Sequence, residues 1–561
     1  MTHGDSHCTY YFGRRQCRVP GLQIGRIRIL YAQVIPDLDS PTTISEALRT
    51  RALASPNRIA VSDGNESLTY GELWRWARRV AQSLIATHVE PGDRVALWAP
   101  NSVRWVPASF GIYLAGAALV PLNTRFKSAE AAHVVRASGA KILLTVSNFL
   151  DHDFLSTARS WTDTPDLERV VDISPGPDVQ TGWAAWLEEG DAVDVEAVEA
   201  RIRAIDAASI SDIIFTSGTT GAPKGAVLTH GASVRTYRAW SESVGLQADD
   251  RYLVVYPFFH TAGLKSGVLA CVLEGATIHP FAVFDVETVM EYVARHRITV
   301  LPGPPTVFQS ILAHPRFAEF DLSSLRLSVT GAAVVPVEVV RRMRHDLRFQ
   351  SVVTGYGLTE TTGTVSMCRH DDPPEMVAST VGRPLPGVEV KVVDDDGAEQ
   401  APQSPGEILV RGFNVMKEYF NDPEATKQAI DPDGWLRTGD IGFIGADGNI
   451  RITDRKKDMY ITGGFNVYPA EVEGLLLRHS AVAQVAVIGV PDRRLGEIGQ
   501  AVVVLRSGAA WNEEEFLRWC RANMANYKVP SLVRLTDGLP LNPSGKVMKF
   551  KLREEAAAST P

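Results

Sequence analysis

The chain has few cysteines and no long apolar run, and these two shortages argue against a disulfide-rich protein and against an integral membrane protein. Its 561 residues include five cysteines, Cys8, Cys17, Cys271, Cys368 and Cys520, and none forms a Cys-x-x-Cys pair. This spacing argues against a disulfide framework or a zinc site and is typical of reduced thiols, so we expect a cytoplasmic protein. No apolar run approaches the roughly 18–20 residues that cross a membrane, so we expect no integral membrane segment.

An excess of positive charge is also missing. Lys and Arg number 57 against 65 Asp and Glu, and the formal net charge is −8. Nucleic-acid binding depends on basic surfaces, so we expect no nucleic-acid partner. The length requires more than one domain. Oligomeric state cannot be read from the sequence.

The first 35 residues differ from the rest of the chain. They carry five arginines and lack the continuous apolar core of a signal peptide. We interpret residues 1–35 as a disordered N-terminal extension, or as the product of a start site placed too early.

The most informative segment follows the apolar run Ile213–Phe215. It reads Thr216-Ser217-Gly218-Thr219-Thr220-Gly221-Ala222-Pro223-Lys224-Gly225. Glycines let backbone N–H groups approach a ligand, hydroxyls add donors, and Lys224 adds a positive charge. A strand that feeds such a loop predicts a phosphate-binding site.

This loop departs from the P-loop of kinases and NTPases. That motif needs a Ser or Thr directly after Gly-Lys, where the hydroxyl reaches magnesium. Here Lys224 precedes Gly225, and Ala226 follows. The order of residues therefore disfavours a P-loop enzyme.

The alternation of strand and helix patterns predicts an α/β fold. The strand patterns lie at 94–98, 118–122 and 141–146, and the helix patterns at 68–85, 103–114 and 129–137. Residues 160–206 read as a surface connection with one helix. A run of charge at 454–458 then separates this part from a smaller α+β segment.

Further motifs follow the loop in order. They are Pro257-Phe258-Phe259-His260, Gly331-Ala332-Ala333, Gly355-Tyr356-Gly357-Leu358-Thr359-Glu360, Gly434-Trp435-Leu436-Arg437-Thr438-Gly439-Asp440, Gly463-Gly464-Phe465-Asn466 and Pro543-Ser544-Gly545-Lys546. Taken singly, each fits a plain turn, core or surface role. Taken together, they resemble the adenylate-forming superfamily of acyl-CoA synthetases, luciferases and nonribosomal adenylation domains, from about residue 40 onward.

The resemblance implies a domain organisation, three small-molecule substrates and a metal ion. A large multi-subdomain adenylation domain would span 36–454, a hinge 455–458, and a small α+β lid domain 459–561. The enzyme would join a small hydrophobic carboxylic acid to coenzyme A through an acyl-AMP intermediate. It would use ATP and Mg²⁺.

The resemblance also implies a role for each motif residue. The phosphates of ATP would contact Thr216, Ser217, Gly218, Thr219, Thr220, Gly221, Lys224 and Thr359, with Glu360 and Thr220 at Mg²⁺. Adenosine would contact Gly331, Ala332, Gly355, Tyr356, Gly357, Asp440 and Arg455. The pantetheine of CoA would pass Gly463, Gly464 and Phe465, and Lys457 would be the pivot. Lys546 would stabilise the adenylation transition state, and His260 would lie beside the reacting carboxylate.

The identity of the acid is less constrained. The residues expected to line its pocket are small or apolar, which disfavours an amino acid: Thr261, Ala262, Gly263, Leu264, Val268, Gly303 and Pro304. Residues 257–260, 295–305 and 458–461 are most similar to actinobacterial ligases for a steroid-derived bicyclic propanoate, although 261–264 depart from them.

Several alternatives stay open. The acid could be a medium-chain or aromatic one. The enzyme could instead load its acyl group onto a carrier protein. A non-enzymatic protein that kept the fold, and oxidative luciferase chemistry, are further alternatives.

Overall fold

The computed structural model describes residues 41–174, 182–216, 223–331, 335, 337–394, 396–404, 406–455, 460–467, 469–540, 547 and 549–558. The interpretation of residues 1–35 falls outside these ranges.

A seven-stranded sheet forms the centre of the large N-terminal part. Five of its strands run parallel, and at one edge two more strands follow, each antiparallel to the strand before it. Parallel sheets are covered by helices on their faces. The helix Trp105–Leu114 accordingly has all ten residues buried. In spatial order the strands are Glu418–Tyr419, Lys224–Thr229, Ile210–Thr216, Ala118–Pro121, Arg94–Trp98, Ile142–Thr145 and Arg169–Asp172.

Three four-stranded sheets complete this part within the described residues. The first two are joined by Val300, which bridges Tyr252 and Leu327. The first contains Ser67–Thr69, Ile59–Ser62, Thr277–Pro280 and Arg251–Val254; the second, Leu327–Thr330, Ser351–Tyr356, Ser366–Met367 and Arg383–Pro384; the third, Val388–Val393, Gly406–Gly412, Leu436–Ile444 and Ile450–Arg455.

The C-terminal part has its own sheet and its own core. Its strands are Phe465–Val467, Tyr460–Thr462, Gly496–Leu505, Val482–Asp492 and Leu532–Leu535. Tyr460, Leu476 and Phe516 are buried together between this sheet and its helices. The expected α/β fold, with a large N-terminal domain and a small α+β C-terminal domain, is confirmed.

Helix starts follow their capping residues. The Thr69 hydroxyl accepts from the Glu72 N–H at 3.2 Å, and the Glu72 carboxylate accepts from the Thr69 N–H at 2.8 Å. This reciprocal pair satisfies two free donors of the first turn. The α-helices are Ile44–Ala54, Tyr70–Ala86, Trp105–Leu114, Ser128–Ser138, Phe154–Arg159, Trp183–Gly190, Val195–Ala204, His230–Val244, Ala270–Glu274, Val286–His296, Pro305–Ala313, Val337–His345, Pro374–Ser379, Pro423–Ala429, Pro469–Leu476, Glu513–Asn523 and Lys549–Ala558.

Four further segments have other helical geometries. Ala262–Leu269 is a π-helix, and Phe317–Glu319, Thr359–Thr361 and Asn526–Lys528 are 3₁₀-helices. Among the described helices, none is long and apolar enough to cross a membrane.

Residues 160–206 differ from the expectation of a surface connection with one helix. The segment contains the strand Arg169–Asp172 and two helices, Trp183–Gly190 and Val195–Ala204. Trp183 and Trp186 are both buried. A few large apolar side chains pack this acidic segment against the core. The acidic composition of the segment as a whole gave no sign of these buried residues.

A buried ionic cluster joins the central sheet to the π-helix. Lys265 and Asp212 form an ion pair with neither side chain exposed. Asp212 also accepts from the Tyr113 hydroxyl at 2.6 Å and the Ser211 hydroxyl at 2.5 Å. Pairing and hydrogen bonding compensate the cost of burying these charges.

His230 lies beside this cluster and is 1% exposed. Its Nδ1 accepts from the Ile44 N–H at 3.3 Å. Burial lowers the pKa of His230 from 6.5 to about 4, although Asp212 acts in the opposite direction. The folded protein therefore holds a neutral imidazole.

We expect His230 to make the protein acid-sensitive. Between about pH 6.5 and 4 the unfolded chain binds a proton here that the folded chain does not. The free energy of unfolding should therefore fall as pH drops through this window, by about 1.4 kcal/mol per unit for one such proton. Denaturant unfolding from pH 7 to 4.5 measures this slope. His230→Gln should reduce it, and an unchanged slope in His230→Gln would contradict the assignment.

Candidate active site

One cavity of about 1120 Å³ gathers most of the residues predicted from the motifs. It lies where the central sheet, the second sheet, the π-helix and the C-terminal part meet. The predicted residues that line it are Thr216, His260, Gly331, Gly355, Tyr356, Gly357, Thr359, Glu360, Asp440, Gly463, Gly464 and Phe465.

Glu360 forms one polar corner of the cavity. It belongs to the 3₁₀-helix Thr359–Thr361, and its Oε1 accepts from the Tyr419 hydroxyl at 2.8 Å and the Thr216 hydroxyl at 3.4 Å. Lys224 lies over the ring of the same Tyr419, with Nζ 5.3 Å from the ring centroid. Thr216, at the start of the predicted phosphate-binding loop, therefore contacts the Glu360 carboxylate directly, and Lys224, at its end, contacts the tyrosine that donates to it.

Tyr419 is a site residue that the sequence patterns did not indicate. It belongs to the two-residue edge strand Glu418–Tyr419, which pairs with the strand following the loop. Fifty-nine residues separate it from Glu360. No local pattern marks such an approach, because only the sheet pairing creates it.

The Glu360 corner suits a magnesium ion accompanied by phosphates. Within the described ranges, no group of three or more His, Cys, Asp or Glu side chains is arranged to hold a metal. Magnesium does not need one, since it binds one or two carboxylates together with phosphate oxygens and water. A single carboxylate beside a loop that is predicted to bind phosphate fits this donor set.

Tyr356 and Asp440 form a second polar corner. The Tyr356 hydroxyl donates to Asp440 Oδ2 at 2.5 Å, and Asp440 is 2% exposed. Asp440 pairs in register with Arg455 on the neighbouring strand. The backbone thus brings together the two residues expected at the ribose, while the Arg455 side chain is outside the described part.

The glycines beside Tyr356 are required by packing. A Cβ on Gly355 would lie 2.0 Å from Met367 Sδ, and one on Gly357 would lie 2.2 Å from the Gly363 carbonyl oxygen. Both positions line the cavity, but their lack of a side chain first serves the close fit of neighbouring strands and loops.

His260 is open to the cavity although protein surrounds it. Its Nδ1 accepts from the Ala262 N–H at 3.2 Å. Burial lowers the pKa of His260, so the ring is neutral near pH 7. With Nδ1 accepting, the ring proton lies on Nε2, which can donate to an anionic ligand.

Aromatic side chains, three of which carry hydroxyls, form the wall near His260. Tyr237, Trp240, Tyr252 and Tyr256 all line the cavity. Tyr237 is hydrogen-bonded to Thr364, and its hydroxyl lies 2.5 Å from where a Cβ on Gly363 would be. The wall is therefore apolar over most of its area and carries hydroxyl groups within it.

The structure changes the expected acid pocket. Thr261, Ala262 and Pro304 line the cavity as expected, but four other expected residues do not: Gly263, Leu264, Val268 and Gly303. Leu264 and Val268 face a separate small void. A Cβ on Gly263 would lie 2.1 Å from the Pro257 carbonyl oxygen, so this position packs on backbone. The π-helix, with its wider turn, directs Ala262 and Ser266 to the cavity.

Gly463 and Gly464 form a tight hairpin turn at the opposite wall. Their φ angles of 55° and 84° match a two-residue type I′ turn, which demands positive φ at both positions. A Cβ on Gly464 would lie 3.6 Å from Pro304 Cγ. Phe465 then stacks on Tyr527, with ring centroids 4.5 Å apart. The C-terminal part thus brings its paired glycines to the cavity.

Some predicted site residues are outside the described ranges. They are Ser217, Gly218, Thr219, Thr220, Gly221, Ala332, Lys457 and Lys546. Their assignments stay predictions.

Comparisons with known proteins agree with this geometry. The family model described as AMP-binding enzyme matches residues 48–420, and its C-terminal domain model matches 471–546. The chain is 47% identical over 522 residues to a 7a-methyl-1,5-dioxo-octahydro-inden-4-yl propanoyl:CoA ligase of Rhodococcus jostii, covering 92% of this chain and 99% of the relative. The ligase of the same name from Mycobacterium tuberculosis is 47% identical, covering 91% and 98%.

Two solved structures of o-succinylbenzoate CoA synthetase from Bacillus subtilis, with different ligands bound, match this chain to different degrees. Both are 30% identical to this chain. A double mutant bound to a CoA product analogue gives a TM-score of 0.77, covering 91% of this chain and 98% of the other. The complex with the acyl-adenylate gives 0.62, covering 90% and 97%. The chain is therefore closer to the product-analogue complex.

These relatives confirm the expected class of reaction, an acid–thiol ligase that uses ATP and CoA. The matched models span most of the sequence, and the cavity unites most of the predicted site residues that the structure describes. The chain belongs to the AMP-binding enzyme family, the adenylate-forming enzymes.

Proposed function

We propose that the protein is an ATP-dependent acyl-CoA ligase for a bicyclic dione propanoate or a closely similar oxygenated alicyclic acid. The observation that carries this proposal is the single cavity in which the Glu360 corner, the Tyr356–Asp440 corner, His260 and the Gly463–Gly464 turn face one another. Phosphate, nucleoside, acid and thiol sites are thereby adjacent.

The first half-reaction activates the acid. A carboxylate oxygen attacks the α-phosphate of ATP, which forms acyl-AMP and releases pyrophosphate. Thr216, Thr359 and the loop 217–222 are proposed to hold the phosphates, and Tyr356 and Asp440 the adenosine, so that orientation is supplied by binding. Mg²⁺ at Glu360 would neutralise phosphate charge. Lys546 is proposed to stabilise the charge that develops around the α-phosphate.

The second half-reaction transfers the acyl group. The CoA thiol attacks the acyl-AMP carbonyl carbon, forming the thioester and releasing AMP. The Gly463–Gly464 turn leaves room for the pantetheine arm, because no side chain projects from it. We propose rotation of the lid domain, 459–561, about the hinge 455–458 at Lys457. The first family match ends at residue 420 and the second begins at residue 471, so the proposed hinge lies between them, which supports that boundary.

The nature of the cavity wall supports the proposed acid. Two relatives at 47% identity are named for the dione propanoate. The aromatic wall offers apolar surface to fused rings, and the Tyr237 hydroxyl can donate to a ring ketone. The buried Asp212 is neutralised by Lys265 behind the π-helix, so it is not a carboxylate for recognising an amino acid.

We also propose a cytoplasmic location. Cys271, Cys368 and Cys520 are buried free thiols, which fits a reducing compartment.

The proposal is tested by supplying ATP, Mg²⁺ and CoA with a panel of acids. The panel contains the bicyclic dione propanoate, medium-chain fatty acids and aryl acids. We expect pyrophosphate release and thioester formation with the dione acid at the highest kcat/KM. A higher kcat/KM for another acid would overturn the proposed substrate. Pyrophosphate release without thioester formation would indicate an enzyme that loads its acyl group onto a carrier protein.

Lys546→Ala should separate the half-reactions. We expect acyl-AMP formation to fall about a hundredfold or more, because a charge at the transition state is lost. Thioester formation from supplied acyl-AMP should stay within about twofold, as the ammonium stabilises only the phosphoryl step. Equal loss in both assays would contradict the role of Lys546. Lys551→Ala, at an exposed position of the C-terminal helix Lys549–Ala558, is the control.

Tyr237→Phe should test recognition of the ketone. Loss of one hydrogen bond to the acid should lower kcat/KM for the dione propanoate by about tenfold. A bicyclic propanoate of the same shape without ketones should be unaffected, since it offers no acceptor. An equal effect on both acids would show that Tyr237 shapes the cavity wall but does not hydrogen-bond to the ketone oxygen.

A further inference from the structure

Lys528 is a buried amine at the junction of the N-terminal and C-terminal parts. It ends the 3₁₀-helix Asn526–Lys528, and its side chain is 2% exposed. Its Nζ donates to Glu130 Oε1 at 2.9 Å and to Glu471 Oε1 at 2.5 Å. Glu130 belongs to the N-terminal part and Glu471 to the C-terminal part, so one ammonium joins the two.

The surroundings keep this amine charged. Burial opposes the charge, but Tyr527, Glu471 and Glu130 together raise the pKa of Lys528. Nζ also lies 4.9 Å from the Phe126 ring centroid, where the face of the ring attracts a cation. Two carboxylates share one ammonium, and all three groups are largely removed from water.

The junction leads directly to the glycine turn. Glu471 lies in the first turn of the helix Pro469–Leu476, which follows the hairpin strand Phe465–Val467. Tyr527, next to Lys528, stacks on Phe465 and accepts from the Asn123 amide at 3.1 Å. Fixing Lys528 against Glu130 therefore fixes the position of the Gly463–Gly464 turn at the cavity.

Glu130 itself lies outside the reaction site. It is not among the residues that line the cavity. Its Oε2 accepts from the Lys127 N–H at 2.9 Å and caps the helix Ser128–Ser138. Its Oε1 faces Lys528, 398 residues away in sequence. Glu130 is thus placed to act on the C-terminal part and not on the substrates.

We propose that Glu130 is a positioning residue for thioester formation: its ion pair with Lys528 holds the C-terminal part in the orientation that presents the Gly463–Gly464 turn to acyl-AMP. The inference rests on the proposed two-step ligase reaction. When the C-terminal part rotates, Lys528 leaves Glu130 and keeps Glu471, which belongs to the same part. The contact therefore favours one of the two orientations, and adenylation does not need it.

Glu130→Gln is the sharpest variant. The amide keeps the shape and a carbonyl oxygen that can cap the helix, while the charge facing Lys528 is lost. Lys528 still has Glu471, so no ammonium is left buried without a carboxylate. Glu189→Gln, which removes an exposed carboxylate from Arg169 within the N-terminal part, is the matched control.

Both half-reactions are measured on the full-length enzyme in single turnover. We expect Glu130→Gln to slow thioester formation from acyl-AMP about tenfold and to leave pyrophosphate release without CoA within about twofold. Glu130→Asp, which restores the charge on a shorter side chain, should recover part of the lost rate.

Three outcomes would overturn the proposal: an unchanged thioester rate, an equal loss in both half-reactions, or an effect of Glu189→Gln as large as that of Glu130→Gln. Failure of the proposed function is distinguishable, because the unmodified enzyme would then form no thioester.

Discussion

The buried pair of Asp212 and Lys265 is the constraint on which the arrangement of the site depends. Asp212 lies on the strand that ends at Thr216, and Lys265 lies in the π-helix whose cavity side carries Ala262 and Ser266. Removing one member of such a pair leaves an uncompensated buried charge, at a cost of about 3–5 kcal/mol. The pair therefore fixes the position of the π-helix relative to the strand that ends at Thr216, and so joins two walls of the cavity.

The π-helix itself follows from close packing. Gly263 sits against the Pro257 carbonyl and Gly267 against Val254, where a Cβ on Gly267 would lie 2.6 Å from Cγ1. Side chains at these positions would push the helix away from the strand beneath it. The wider turn of a π-helix then places Ser266 on the cavity side and buries Lys265, and such segments recur at functional sites. The shape of the cavity at Ala262 and Ser266 is thus tied to the strand behind the π-helix.

The two parts of the molecule meet through polar contacts of few residues. Lys528 with Glu130, and Tyr527 with Asn123, cross the junction, while each part keeps its own apolar core. An apolar junction would resist separation, whereas an ionic one can open because its members regain hydration in water. The proposed rotation of the C-terminal part requires such a reversible junction.

The sequence by itself determined the fold class, the strands and helices between residues 68 and 146, and the twelve motif residues that the cavity brings together. Local rules suffice for these: parallel strands need apolar runs, helices need caps, and a type I′ turn needs two residues such as Gly463 and Gly464. Tertiary structure alone decided the rest. Tyr419 reaches Glu360 through an edge strand, Leu264 and Val268 turn away from the pocket expected for them, and Lys528 meets Glu130 across 398 residues. These contacts depend on helix phase and on sheet pairing between distant segments, which no local pattern encodes.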